Sequence, residues 1–197
     1  MTVAVLAGGQ SSRMGTSKAE LTLRGQSVVD YLLDRWPGTR VILVTAPGQA
    51  TAGAQRFDLI VSDPVAGLGP LRGILTALEN APDEIIVVTT IDMPNVAVEQ
   101  LQFVEQALRD RPELSGLMLA RDRGEERFIE PFPSAFRRSA ATIIAQELSE
   151  QRRAVRGLLR HSEKFLLLDA PRDWTDSVWL NLTTPADVEA FNDARSS

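Results

Sequence analysis

The chain has 197 residues, 44% hydrophobic and 24% charged, the balance of one globular domain with apolar surface enough for a sizeable core. Its formal net charge of -5 argues against non-specific affinity for nucleic acid or anionic lipid. With no cysteine and His161 as its one histidine, the sequence excludes disulfides, thiolate metal sites, cysteine nucleophiles and histidine-rich metal sites.

The opening MTVAVLAGG lacks the basic and apolar regions of a signal peptide, and no apolar run is long enough to span a bilayer. A reducing, cytoplasmic setting without a membrane or nucleic-acid partner is expected. Aliphatic and β-branched runs at 2–6, 40–45, 57–62 and 84–90 read as strands buried on both faces, the habit of parallel sheets. Helical spacing fits 17–36, stopped by Pro37-Gly38, then 70–80 and 96–109. This alternation predicts an α/β, three-layer domain with a mainly parallel sheet and a Rossmann-like N-terminal half. Farther on, 114–120, 128–132, 164–169 and 177–182 read as strands, with Pro131 pointing to an edge or a strand end. Residues 140–148 read as a helix, and a last helix starts at Thr184-Pro185 with Asp187 at N3. The whole chain is expected to be one domain, with a nucleotide-binding half at 1–95 and an acceptor-binding half at 96–197.

The strongest chemical signal is Leu6-Ala7-Gly8-Gly9-Gln10-Ser11-Ser12-Arg13-Met14-Gly15-Thr16-Ser17-Lys18. It follows the first strand, where an open α/β sheet binds nucleotides. Glycines let backbone N–H groups approach phosphate oxygens, while Arg13 and Lys18 supply the charge a triphosphate requires. Thr16-Ser17 separate Gly15 from Lys18, so this is not a Walker A loop, and Gly8, Gly9 and Gly15 do not form a dinucleotide fingerprint. Asp92, in TTIDMP, follows a buried strand on the same sheet edge. A carboxylate there can hold Mg²⁺ or cap the turn opened by Met93-Pro94. Asp63 follows its strand in the same way, ahead of Gly69-Pro70-Leu71-Arg72-Gly73, which should open a helix.

The form LAGGxSSRMGxxK resembles the molybdenum cofactor guanylyltransferases of the nucleotide-diphosphosugar transferase fold. The resemblance extends to Asp63 with Gly69-Pro70-Leu71, to Asp92, to Arg127–Phe132 and to the closing Asn181-Leu182-Thr183-Thr184-Pro185. It implies transfer of GMP from GTP to molybdopterin, with Mg²⁺ as cofactor on Asp92. It implies nucleotide contacts from Leu6, Ala7, Gly8, Gly9, Lys18, Thr45, Asp63 and Asp92, and charge stabilisation by Arg13 and Lys18. Acceptor contacts would come from Glu130 and Asn181, with molybdoenzyme apo-proteins or cofactor chaperones as further partners. Thr45 stands where this family often has an asparagine, which keeps a CTP-dependent reaction open. Transfer to a sugar phosphate and a non-catalytic cofactor carrier are the other readings. Arg152, Arg153 and Arg156 are either a basic acceptor patch or a solvated helix face. His161 has no acidic partner at a telling spacing and reads as a surface residue; Trp36, Trp174 and Trp179 read as packing residues.

Overall fold

The computed structural model describes residues 1–7, 20–49 and 53–194. Within them lies a seven-stranded sheet in the order β5-β4-β1-β6-β8-β7-β9. Its strands are β1 (Thr2–Leu6), β4 (Arg40–Thr45), β5 (Leu59–Ser62), β6 (Ile85–Thr90), β7 (Gly116–Arg123), β8 (Glu126–Arg137) and β9 (Phe165–Asp169). β1 pairs in parallel with β4 and β6, β4 with β5, and β7 with β9. β8 is antiparallel to both β6 and β7. β7 therefore runs in the same direction as β6, and the carboxyl ends of β1, β4, β5, β6, β7 and β9 share one edge. Every residue of β1 is buried, as expected where both faces of a parallel sheet are covered. The sequence expectation of an α/β domain with a mainly parallel sheet is met.

The helices are α1 (Val28–Asp34), α2 (Pro70–Asn80), α3 (Val98–Arg109), α4 (Ala140–Ser149) and α5 (Pro185–Asp193). α2 buries Leu71, Ile74, Leu75 and Leu78, the face its spacing foretells. It comes close to β1 because Gly73 has no side chain: a Cβ there would lie 3.0 Å from Leu6 Cδ2. α5 begins with a reciprocal cap, in which the Asp187 N–H donates to Thr184 Oγ1 and the Thr184 N–H donates to Asp187 Oδ2.

Three expectations are corrected. Residues 20–27 are not helical. They hold the short hairpin strands β2 (Thr22–Leu23) and β3 (Gln26–Ser27), turned by Arg24 and Gly25 at φ 49 and 84. Two successive positive φ values suit a tight hairpin and break a helix. α1 starts only at Val28, with Ser27 Oγ accepting from the Asp30 N–H at 3.1 Å. β5 is shorter than 57–62 and is not buried on both faces, since it forms one border of the sheet.

Pro131 is not at a strand end, because β8 continues through it, but it does lie on a locally open edge, where β8 has no β6 partner. β8 pairs with β6 only over Ser134–Arg137. Its pairing with β7 passes from Leu117↔Ala135 to Leu119↔Glu130 across a bulge. Pro131 and Pro133 fall in that bulge, where a missing N–H costs no ladder bond.

Residues 177–182 do not form a strand. Asp176–Trp179 is a 3-10 turn, followed by an extended stretch. The segment crosses the carboxyl end of β6, whose two sides are already occupied by β1 and β8. There the Leu182 N–H donates to the Asp92 carbonyl at 2.9 Å and Asn95 Nδ2 donates to Ser177 O at 3.0 Å.

Gly116 pairs with Phe136 and Phe165 on its two flanks, and a Cβ on it would lie 2.9 Å from atoms of both rings. Both rings are buried. Gly116→Ala should lower stability by about 1–3 kcal/mol, the usual scale for overpacking a tight core, read as a lower Tm. An unchanged Tm would mean that the rings shift freely.

Candidate nucleotide and acceptor site

The parallel pairing fixes which side chains can meet. Leu6 pairs with Val44 on one side and Thr90 on the other, and Thr45 pairs with Ser62. Past the strand ends, the Ala7 N–H donates to Val44 O at 2.8 Å, the Asp63 N–H to Thr45 O at 2.9 Å and the Ile91 N–H to Leu6 O at 3.2 Å. The edge is thus held by backbone bonds one residue beyond each strand. Leu6, Ala7, Thr45, Asp63 and Asp92 stand together at this border, where an open α/β sheet receives its ligand. Gly8, Gly9, Arg13 and Lys18 lie outside the described residues.

Asp92 is 9% exposed and lies in the turn Ile91–Asn95 that leaves β6. Among the described residues, no group of three or more His, Asp or Glu side chains is arranged to hold a metal. A single hard carboxylate at a strand end still suits magnesium. That ion commonly takes one or two protein carboxylates and completes its shell with substrate phosphates and water.

Asp63 is half-buried, and its Oδ1 accepts from Thr76 Oγ1 at 2.6 Å. Burial pushes its pKa up, opposed by the Thr76 bond and the Arg72 charge. Arg72 donates to Thr76 Oγ1 at 3.2 Å and to Glu79 at 2.7 Å. Its role, unreadable from the sequence, is to brace the threonine that orients Asp63. Gly69, at φ 75, turns the chain into α2, which carries Thr76.

Thr45 is buried, and its hydroxyl donates to Val61 O at 3.5 Å, toward the neighbouring strand. Gln49, which sequence reasoning passed over, reaches back over this strand end. Its Nε2 donates to Ala7 O at 3.4 Å, and its Oε1 accepts from the Ala46 N–H at 3.3 Å. Only the turn after β4 brings it to β1, so no sequence motif announces it.

On the other side, β7 and β8 extend past the end of β6 as a hairpin arm turned at Gly124, φ 64. Glu130 lies on this arm, where its Oε1 accepts from Arg121 Nε at 2.6 Å. Asn181 follows the 3-10 turn rather than a strand, and its Nδ2 donates to Trp179 O at 3.0 Å. The arm and the 3-10 segment meet through Arg121, which also binds Asp176 at 2.8 Å.

The arginine run divides: Arg153 and Arg156 are exposed, whereas Arg152 is tied to a buried carboxylate. Arg152 makes a bidentate pair with Glu147 through bonds of 2.9 and 2.8 Å. Arg160 joins the same carboxylate, and His161 Nε2 lies 3.1 Å from Glu147 Oε1. His161 therefore has an acidic partner, supplied by the preceding helix. Arg153 instead donates to Gly67 O at 3.1 Å, on the loop that follows Asp63. Led by the Arg152 bonds, the cluster lowers the Glu147 pKa from 4.5 to about 2.

The MobA-like NTP transferase domain family matches residues 3–165. A probable molybdenum cofactor guanylyltransferase of Synechococcus elongatus is 30% identical over 196 residues, covering 95% of each chain. A molybdenum cofactor guanylyltransferase of Vibrio cholerae is 30% identical over 192 residues, covering 95% of this chain and 89% of its own. The fold matches that of molybdopterin-guanine dinucleotide biosynthesis protein A from Archaeoglobus fulgidus, with a TM-score of 0.80 at 24% identity, over 98% of this chain and 97% of that one.

Glu147 is 2% exposed, whereas its arginine partners are 39% and 45% exposed. Because its folded pKa is lowered, the cluster's contribution is complete above about pH 4.5 and disappears as pH falls toward 2. Glu147→Gln should cost about 2 kcal/mol at pH 7 after allowance for solvent at the arginines. Denaturant titrations at pH 7 and pH 3 should show the gap between wild type and variant shrinking at the lower pH; a constant gap would refute the ionic account.

Proposed function

The chain belongs to the MobA-like NTP transferase family, and on that premise we propose that it transfers GMP from GTP to the terminal phosphate of molybdopterin or its molybdenum-loaded form. The products are the guanine dinucleotide of the cofactor and pyrophosphate. The observation that carries this reading is the joint placement of Leu6, Ala7, Asp63 and Asp92 at the carboxyl border of one parallel sheet. Two relatives named for this reaction, each aligned along 95% of this chain, support it.

The chemistry asks little of general bases. A phosphate monoester has a second pKa near ~6, so the acceptor is largely dianionic at pH 7. One of its oxygens forms a bond to the α-phosphorus of GTP as the bond from that phosphorus to the α–β bridging oxygen breaks. Pyrophosphate leaves with the electron pair. The protein supplies in-line positioning and compensation of charge. In this reading the backbone of Leu6 to Gly9 holds the nucleotide, and Lys18 and Arg13 neutralise the α-phosphate and the departing pyrophosphate. Asp63, braced by Thr76, approaches the nucleotide from the side of β5. Asp92 would hold Mg²⁺, which when bound neutralises and orients phosphate oxygens. Glu130 and Asn181 flank the acceptor.

A second reading, the same transfer from CTP, rests on Thr45, which stands where the family often has an asparagine and whose hydroxyl bonds to Val61 O. A cytoplasmic setting, with delivery of the product to apo-enzymes or chaperones, accompanies either version. Among the described residues no helix is long and apolar enough to cross a membrane.

Calorimetric titration with GTP, CTP and ATP, each with Mg²⁺, should give tightest binding for GTP; tighter binding of CTP would select the second reading. With molybdopterin present, pyrophosphate release should depend on Mg²⁺ and fall on the order of 10²–10³-fold in Asp92→Ala and in Lys18→Ala. Near-wild-type turnover in either variant would remove that residue from the mechanism. GTP binding with no pyrophosphate release under any condition would point to a carrier.

A further inference from the structure

The turn that follows β4 carries a side chain that the transfer described above does not use. Residues 46–49 close a four-residue turn in which the Gln49 N–H donates to Ala46 O at 3.1 Å. Pro47 and Gly48, the latter at φ 72, are the residue types that a type II turn takes at its two central positions. Pro47 and Gly48 are exposed, and Gln49, half-buried, folds back over the strand ends. We propose that Gln49 reads the base of the nucleotide, its Nε2 donating to the 6-oxo oxygen of guanine; the inference rests on the nucleotidyl-transfer reading above.

Three observations support it. The first is the orientation of the carboxamide. An amide that turns over freely offers N–H or C=O to any base edge and discriminates nothing. Here two main-chain groups set its direction. Oε1 accepts from the Ala46 N–H at 3.3 Å, and Nε2 donates to Ala7 O at 3.4 Å. Turned over, the amide would set N–H against N–H and oxygen against oxygen. The nitrogen therefore faces the end of β1 and the oxygen faces the turn after β4. Both bonds are long, which leaves the side chain room to shorten onto a ligand while the backbone still directs it.

The second is position. Ala7 follows β1 and Ala46 follows β4, so the amide bridges two strand ends of the nucleotide border. With Mg²⁺ on Asp92, the phosphates lie at the end of β6. β6 and β4 flank β1 and stand about 10 Å apart, two strand spacings. A nucleotide laid across the end of β1 with its phosphates toward β6 directs its base toward β4 and Gln49.

The third is the chemistry of the neighbouring side chains. The Thr45 hydroxyl donates to Val61 O at 3.5 Å, and Asp63 accepts from Thr76 Oγ1 at 2.6 Å. An ionised Asp63 accepts hydrogen bonds and cannot donate one to a carbonyl oxygen. Adenine and cytosine each carry an amino group where guanine carries its 6-oxo oxygen. An N–H of fixed direction at this place selects the oxo base, and Gln49 supplies it.

Calorimetry on the full chain with GTP, ITP, ATP, CTP and tripolyphosphate, each with Mg²⁺, tests the assignment. ITP keeps the 6-oxo group without the 2-amino group, and tripolyphosphate has no base. Gln49→Glu, which sets an acceptor where Nε2 stood, should weaken GTP and ITP alike by about tenfold or more, with ATP affected less, so that the preference for GTP over ATP collapses. Gln49→Met, uncharged and of similar length, should also lower that preference. Tripolyphosphate affinity should stay within about threefold in both variants, which shows that the phosphate site is intact. An unchanged GTP-over-ATP preference in both variants overturns the assignment. So does a parallel loss of GTP and tripolyphosphate, the mark of a residue that only supports the turn, and so does wild-type protein that binds CTP or ATP more tightly than GTP. A GTP preference that Gln49→Met abolishes, in wild-type protein that releases no pyrophosphate from GTP and molybdopterin, would uphold Gln49 as the base reader while overturning the transfer reading beneath it.

Discussion

The parallel pairing of β1 with β4 and β6 is the constraint on which the site depends. Leu6 pairs with Val44 and Thr90, so three strands end at one level. The residues just beyond are held by main-chain bonds from Ala7 to Val44 and from Ile91 to Leu6. A one-residue slip in either pairing would turn every core-facing side chain over, because strand side chains alternate with period two. The buried positions Val3, Ala4 and Val5 make such a slip costly. Hydrophobic burial along the strands thereby sets the separation of Ala7 and Asp92, and bonding between β4 and β5 adds Asp63 to the same border.

The second constraint is the way the C-terminal part of the chain closes on this border. β8 starts with β7 as a projecting arm, passes through its bulge and joins β6 only from Ser134 onward. The 3-10 turn at Asp176–Trp179 then packs against that arm through Arg121, and Leu182 bonds to the Asp92 carbonyl. Hydrogen bonds from the Leu182 N–H to Asp92 O and from Asn95 Nδ2 to Ser177 O thus join the β6 turn to this segment. The Glu147 cluster plays a similar role lower in the structure. It fastens Arg152, Arg160 and His161 to α4, and Arg153 extends from the same segment to the loop after Asp63. Charge that resembles a ligand patch in the sequence is spent on internal architecture, and buried charge of this kind must be paired to be tolerated.

Several features needed no tertiary information. The aliphatic runs of β1, β4 and β6, the face of α2 and the Thr184-Pro185 start of α5 follow from local periodicity and capping chemistry. So did the positions of Asp63 and Asp92 after their strands, because a strand end is fixed by where the aliphatic run stops. The LAGG-to-Lys18 stretch carried the family resemblance that the domain match to residues 3–165 bears out.

Tertiary structure decided the rest. Residues 20–36 have apolar spacing compatible with a helix, yet Arg24 and Gly25 adopt positive φ and the hairpin docks on α5, where Asn192 bonds to the backbone of Thr22 and Arg24. The apolar run at 177–182 looks like a strand, but it lies across the carboxyl end of β6, whose neighbours in the sheet are β1 and β8. Glu147 and His161 are too far apart in sequence for a local rule to pair them, and Gln49 meets Ala7 only across the β1–β4 ladder. Local chemistry specifies which segments are strands and helices and which residues can bind phosphate. Which of those residues face one another depends on sheet order and register, set by burial and hydrogen bonding between segments distant in the chain.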